Sequence, residues 1–110
     1  MNFPRIDNYF QTAEQALEEI ATIGWHGFEV TLDPEEDLHW HDFDSVVFVL
    51  EGIASAEFSD GSIEEASVGT KIEAPAGIVH RTVGASYRAI IGLSVDPAEL
   101  TQPVNKPVVT

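Results

Sequence analysis

The stretch of sequence that decides the fold is His39-Trp40-His41-Asp42-Phe43-Asp44-Ser45. Residues two apart on a β-strand leave the same face, so His39 and His41 should project together with backbones roughly 7 Å apart. Because each metal–nitrogen bond spans roughly 2 Å, two imidazoles placed in this way can converge on one metal ion. Taken alone, such a pair on an acidic chain is more often a pair of solvated histidines.

A second stretch, Pro75-Ala76-Gly77-Ile78-Val79-His80, adds a third imidazole. His80 lies at the start of an expected strand whose entry is set by a proline and a glycine. An antiparallel barrel can place this strand beside the first and direct all three side chains at one point. The sequence therefore predicts a metal site made of His39, His41 and His80.

Together the two stretches resemble the paired motifs of the cupin superfamily. The first motif reads HxH, three or four residues, Glu, six residues and Gly; here six residues separate Ser45 from Gly52. The second reads Gly, five residues, PxG, two residues, His, three residues and Asn; here five residues separate Gly69 from Pro75, and Gly84 takes the last position. The resemblance implies an all-β fold, a small RmlC-like double-stranded β-helix or jelly-roll barrel, with one divalent metal in its bowl and often a homodimer.

The first motif departs from the family at the carboxylate ligand, because Ser45 stands where the family places Glu. Three neutral imidazoles leave a divalent ion with a net charge of about +2 and more open positions, which favours small, chelating, anionic ligands. Asp44 is either a substitute ligand or a solvated loop acid, since a one-residue offset on a strand reverses the face unless a bulge intervenes. Ser45 could instead hold a metal-bound water.

The metal and its reaction stay open at this point. Iron, nickel, zinc, manganese and copper all accept imidazole ligands. The resemblance implies a small metalloenzyme, dioxygenase-like or isomerase- or decarboxylase-like, whereas the alternative is a non-catalytic module that binds or senses a small molecule or a metal. A purely structural barrel is a third interpretation, but it leaves three histidines on one face without a role.

The remaining candidate site residues lie on flanking strands. His26 alternates in phase with Phe28, so it is either a hydrogen-bonded core histidine or a pocket residue that moves protons, the one candidate for catalysis. Tyr87 and Arg88 are adjacent, so only one of them points inward, and an inward Arg88 would neutralise a substrate carboxylate. The predicted substrate pocket comprises His26, Phe28, Ser45 and Arg88.

Other polar and aromatic residues near the motifs have simpler interpretations. Trp40 lies between two inward histidines, so it should face outward, which favours a subunit contact. The acidic runs Glu35-Glu36-Asp37 and Glu64-Glu65 are interpreted as solvated loops and turns.

The chain of 110 residues has room for one domain, which we divide into an N-terminal segment with a helix (1–23), a barrel (24–96) and a C-terminal strap (97–110). Thr12 and Gln15 form a capping-box pattern for the helix, and Gly24 ends it. Strands are predicted near 26–32, 46–50, 53–58, 71–74, 78–83 and 86–95. The strap contains two prolines and should extend along a sheet edge or onto another subunit.

Composition restricts the partners. A net charge of −14 repels nucleic acid and anionic lipid, so a small molecule is the expected partner and neither nucleic acid nor membrane is. The chain has no cysteine, which excludes disulfides and thiolate metal sites. No apolar run has the length of a signal peptide or membrane span, and a cytoplasmic location is expected.

Overall fold

A computed structural model describes residues 2–109 of the chain. Its elements in chain order are β1 (Arg5–Ile6), α1 (Ala13–Thr22), β2 (His26–Leu32), β3 (His39–Trp40), β4 (Ser45–Glu51), β5 (Ala54–Phe58), β6 (Ile63–Ala66), β7 (Lys71–Ala74), β8 (His80–Val83), β9 (Tyr87–Leu93), a 3₁₀ turn (Pro97–Glu99) and β10 (Lys106–Pro107).

The strands form two antiparallel sheets of five strands each. The first sheet has the order β1-β7-β4-β9-β2, and the second has the order β10-β3-β8-β5-β6. From β2 to β5 the chain passes alternately from one sheet to the other, as does the run β7, β8, β9. This winding is that of a double-stranded β-helix, so the predicted all-β fold with a short N-terminal helix is confirmed.

Helix α1 begins at the predicted capping box. The Thr12 hydroxyl accepts a hydrogen bond from the Gln15 amide, and the Gln15 side chain accepts one from the Thr12 amide, which satisfies two otherwise unpaired N–H groups. Ile23 is the C-cap, and Gly24 follows with φ of +80°, a conformation that favours glycine. The helix therefore ends where the sequence predicts. It is also too short and too polar to span a membrane, as is every other helix among residues 2–109.

The first sheet is covered on both faces, because alternate residues of its central strands β4 and β9 point in opposite directions. On the outer face, Phe48 and Ile90 pack with Ile20 and Ala16 of the helix. The inner-face residues point toward the second sheet and form a second apolar cluster, which includes Val49. The helix thus covers the outer face of the first sheet. The inner face of the same sheet encloses the space between the two sheets.

Candidate metal centre

The three histidines of the two motifs meet between the sheets. His39 begins β3 and His80 begins β8, and the two residues are direct partners in the antiparallel register. His41 follows β3. The ring centroids are 4.8 Å apart for His39 and His80, 5.0 Å for His39 and His41 and 5.3 Å for His41 and His80. One ligand atom from each ring lies within 4.8 Å of the others, so the group could hold a metal ion.

Each imidazole is oriented by a backbone carbonyl at its Nδ1 atom. The three pairs are His39 with Asp37 O at 3.0 Å, His41 with Val104 O at 3.0 Å and His80 with Ile78 O at 2.8 Å. A carbonyl oxygen only accepts hydrogen bonds, so each Nδ1 carries the hydrogen and donates it. In a neutral imidazole with this hydrogen bond, Nε2 carries the lone pair, and this is the atom and the protonation state that a metal ion needs.

Burial keeps these rings in the form that binds metal. It lowers the pKa of both His41 and His80, although the hydrogen bonds to the Val104 and Ile78 carbonyls partly offset the shift. A lowered pKa leaves an imidazole neutral at neutral pH, so no proton competes for its lone pair. The nitrogen donors present, with no thiolate in the chain, suit a divalent transition metal.

The acidic loop between β2 and β3 contributes a carboxylate to this centre. Glu35 Oε2 lies 3.5 Å from His39 Nε2. Its two carboxylate oxygens also accept hydrogen bonds, Oε1 from the Thr82 amide at 2.9 Å and Oε2 from the Asn105 side chain at 3.0 Å. The interpretation of this acidic run as a solvated loop was therefore wrong for Glu35. The sequence did not reveal that the loop carrying Glu35 folds back onto β8.

A cavity of about 310 Å³ opens from the histidines into the space between the sheets. Its walls are mostly apolar and include Phe28, Phe43, Val47 and Leu93, while Ser45 lines it as well. Of the residues expected at a substrate pocket, Phe28 and Ser45 line this cavity. The polar lining includes the histidines and Glu35, as well as Arg5, Glu64 and Glu65, so a ligand here meets a metal-binding polar end and an apolar body.

Two predicted pocket residues lie elsewhere. Arg88 is on the outer face of β9, where it forms ion pairs with Glu29 at 3.0 Å and Glu51 at 3.2 Å, and its neighbour Tyr87 takes the inward position. His26 is exposed at the beginning of the edge strand β2 and is not among the residues that line the cavity. A shared face with Phe28 therefore does not by itself bring His26 to the cavity.

Asp44, which the sequence left open as either a substitute ligand or a solvated loop acid, turns away from the histidines. It is exposed, and its carboxylate accepts a hydrogen bond from the Ala76 amide at 2.8 Å. In the same region the Gly77 amide donates to the His41 carbonyl at 2.9 Å. Asp44 therefore joins the two motif loops to each other, which positions the ligands without contacting a metal. Trp40 is outward as predicted, but the C-terminal strap covers it, and its Nε1 donates to the Pro107 carbonyl at 3.2 Å.

Comparison with family models and with curated proteins finds no match. Several solved structures are similar in fold. Protein NMB1881 from Neisseria meningitidis is 27% identical over 64% of this chain and 75% of its own, with a TM-score of 0.54. A DUF861 family protein from Thermotoga maritima is 20% identical over 83% of this chain and 98% of its own, with a TM-score of 0.56, a likeness that shows the fold alone.

The polyketide cyclase RemF from Streptomyces resistomycificus is 25% identical over 78% of this chain, with a TM-score of 0.57. The match spans 62% of the length of the cyclase. The DUF861 protein and the cyclase both have cupin folds, which agrees with the sheet order and with the three converging histidines. The chain therefore has a cupin fold, a small double-stranded β-helix with a histidine triad in its bowl.

Proposed function

We propose that this cupin binds one divalent transition metal through His39, His41 and His80 and acts on a small chelating substrate as a metalloenzyme. The observation that supports the proposal is the set of three Nδ1–carbonyl hydrogen bonds, which leaves three Nε2 lone pairs directed at one point beside a cavity. A bound ion would supply Lewis acidity, and a redox-active ion would also supply electrons for oxygen chemistry.

The cavity walls suggest what the substrate looks like. A chelating head, anionic at one or more oxygens, suits the histidine end, while the apolar walls exclude water and suit an aromatic or aliphatic body. Arg88 lies outside the cavity and Arg5 is among the residues that line it, so the metal and the Arg5 guanidinium are the cationic groups available to an anionic head.

Tyr87 is the residue we expect to orient the substrate. It lines the cavity, and burial raises its pKa, so that its hydroxyl stays protonated and can donate a hydrogen bond to a substrate oxygen.

Metal binding is tested by replacing one histidine inside the cavity and one outside it. His80→Ala should lower the affinity for Co²⁺ or Zn²⁺ by more than about 100-fold, since losing a ligand should cost more than the 10–100-fold seen for residues that only support ligands. His26→Ala should bind as the wild type does, because His26 is exposed and outside the cavity. Metal content by elemental analysis and affinity by competition with a chelator measure both. Equal losses in the two variants would contradict the site.

Catalysis is tested separately, with the ferrous protein and a panel of diketones, thiols and hydroxy acids in an oxygen electrode. Consumption of oxygen that depends on His80 would support an oxygenase, and product formation without oxygen an isomerase or decarboxylase. The second candidate, a binding or sensing module, is supported by the position of His26, because this candidate for proton transfer does not line the cavity. Saturable binding without turnover of any compound would support the module.

A further inference from the structure

The side chain of Glu35 faces the metal-binding nitrogen of His39. Glu35 lies in the loop between β2 and β3, four residues before His39, and its Oε2 atom is 3.5 Å from Nε2. His39 is 4% exposed and Glu35 is half-buried, so the pair is partly shielded from solvent.

The two facing atoms are both hydrogen-bond acceptors when the ring of His39 is neutral. The Nδ1 atom of His39 donates to the Asp37 carbonyl, so in the neutral ring Nε2 carries the lone pair, and a carboxylate oxygen carries only lone pairs. Two such acceptors repel each other unless a cation lies close to both. A proton on Nε2 would make an N–H···O hydrogen bond of about 2.7–3.2 Å, which is shorter than the separation observed. Two ligand atoms about 2.1 Å from a tetrahedral ion are about 3.4 Å apart, which matches it.

The carboxylate is held in this direction by the second sheet and by the strap. Its Oε1 accepts from the Thr82 amide, and the Glu35 amide donates to the Thr82 carbonyl at 2.8 Å, so backbone and side chain both dock on β8. Thr82 is two residues from His80, so the same strand positions a ligand and the carboxylate. The Asn105 side chain donates to Oε2. These bonds fix the group and leave Oε2 further lone-pair capacity for an ion.

We infer that Glu35 is a fourth protein ligand of the metal, supplied by the β2–β3 loop. The inference rests on the proposed metal site. It assigns to a loop carboxylate the role that neither Ser45 nor Asp44 can perform, since Ser45 has no carboxylate and Asp44 points at the Ala76 amide. With Glu35 bound, the net charge of a divalent site is about +1, and a substrate takes only the positions that four ligands leave.

The inference is tested by titrating the protein with Co²⁺, whose visible spectrum reports the ligand set. Glu35→Gln keeps the shape of the side chain and an oxygen for the Thr82 amide but removes the anionic donor. We expect Co²⁺ affinity to fall by about 10–100-fold and the visible bands to shift and change in intensity. Glu36→Gln is the matched control, because it removes the same charge from the adjacent, exposed residue. It should retain the wild-type spectrum and affinity.

The metal-free proteins complete the experiment. A Gln amide can donate to the free Nε2 of His39, so the unfolding temperature of metal-free Glu35→Gln should not fall below that of the wild type. Wild-type affinity and spectrum in Glu35→Gln would overturn the inference. A lower affinity with an unchanged spectrum would also overturn it, because Glu35 would then act through its charge alone. If the wild type itself binds no Co²⁺ while it remains folded, the proposed metal site fails together with the inference.

Discussion

At the scale of the residue, the hydrogen bond at Nδ1 of each imidazole determines which of its two nitrogens is available to a metal. The hydrogen bond from His41 to the Val104 carbonyl decides which nitrogen faces the cavity, and no property of the histidine alone decides it. The histidine triad was predictable because alternation on a strand and the turn before His80 are local signals. Glu35 was not, because its partners Thr82 and Asn105 lie 47 and 70 positions along the chain.

A residue-scale prediction concerns Gly92, which faces the helix. A Cβ atom there would lie 2.8–2.9 Å from three side-chain atoms of Ile20, which is nearly fully buried. Gly92→Ala should therefore lower the free energy of unfolding by about 1–3 kcal/mol through overpacking, as measured by urea denaturation. Gly27→Ala is the matched control, because its nearest contact would be 3.1 Å, and it should cost less. Equal costs would contradict the packing argument.

At the scale of the element, α1 is attached to the first sheet by charge as well as by its apolar face. Glu19 of the helix pairs with Lys71 of β7 at 2.7 Å, and the Lys71 ammonium lies 4.8 Å from the centre of the Tyr9 ring. The amphipathic spacing predicted the helix and its buried face. The pairing was not predictable, since nothing local to Glu19 indicates which strand lies beneath the helix.

This attachment should give a defined pH dependence. Burial alone would raise the pKa of Glu19. Its bonds with Lys71 and Tyr9 together have a larger effect in the opposite direction, so the pKa lies below the ordinary value of 4.5. A carboxyl with a lowered pKa contributes stability that is present above about pH 4.5 and is lost as pH falls through the lowered value. We expect Glu19→Gln to cost up to about 1 kcal/mol at pH 7, with the difference from the wild type shrinking below pH 4. Urea denaturation at both pH values measures this, and a difference independent of pH would contradict it.

At the scale of the whole molecule, the C-terminal strap belongs to the metal centre. Lys106 and Pro107 pair with Trp40 and His39 on β3, so the strap extends the second sheet at its edge. The two prolines predicted an extended segment. Where this segment packs depends on contacts with residues more than 60 positions away, which a local sequence pattern does not indicate. Because it provides the Val104 carbonyl and the Asn105 amide, the strap supports two of the residues around the proposed ion.

Removing the strap should therefore lower the affinity for a metal ion more than it lowers the stability of the fold. A chain that ends at Gln102 loses the contacts to His41 and Glu35, and we expect Co²⁺ affinity to fall at least about 10-fold while circular dichroism still shows the β-sheet signal. A chain that ends at Val108 serves as the control, because it lacks the terminal residue and Val109, which is 92% exposed. Unchanged affinity in the shorter chain would show that the strap does not support the ligands.

The hydrogen bond between His41 and Val104 has a reciprocal consequence. Whatever factor a docked strap adds to the affinity for an ion, the ion must add to the docking of the strap, because the two equilibria share one free energy of coupling. A cation in the bowl would thus be sensed by the backbone of the strap at the edge of the second sheet. Slowed amide exchange at residues 104–106 would then report occupancy through backbone groups that are not themselves ligands.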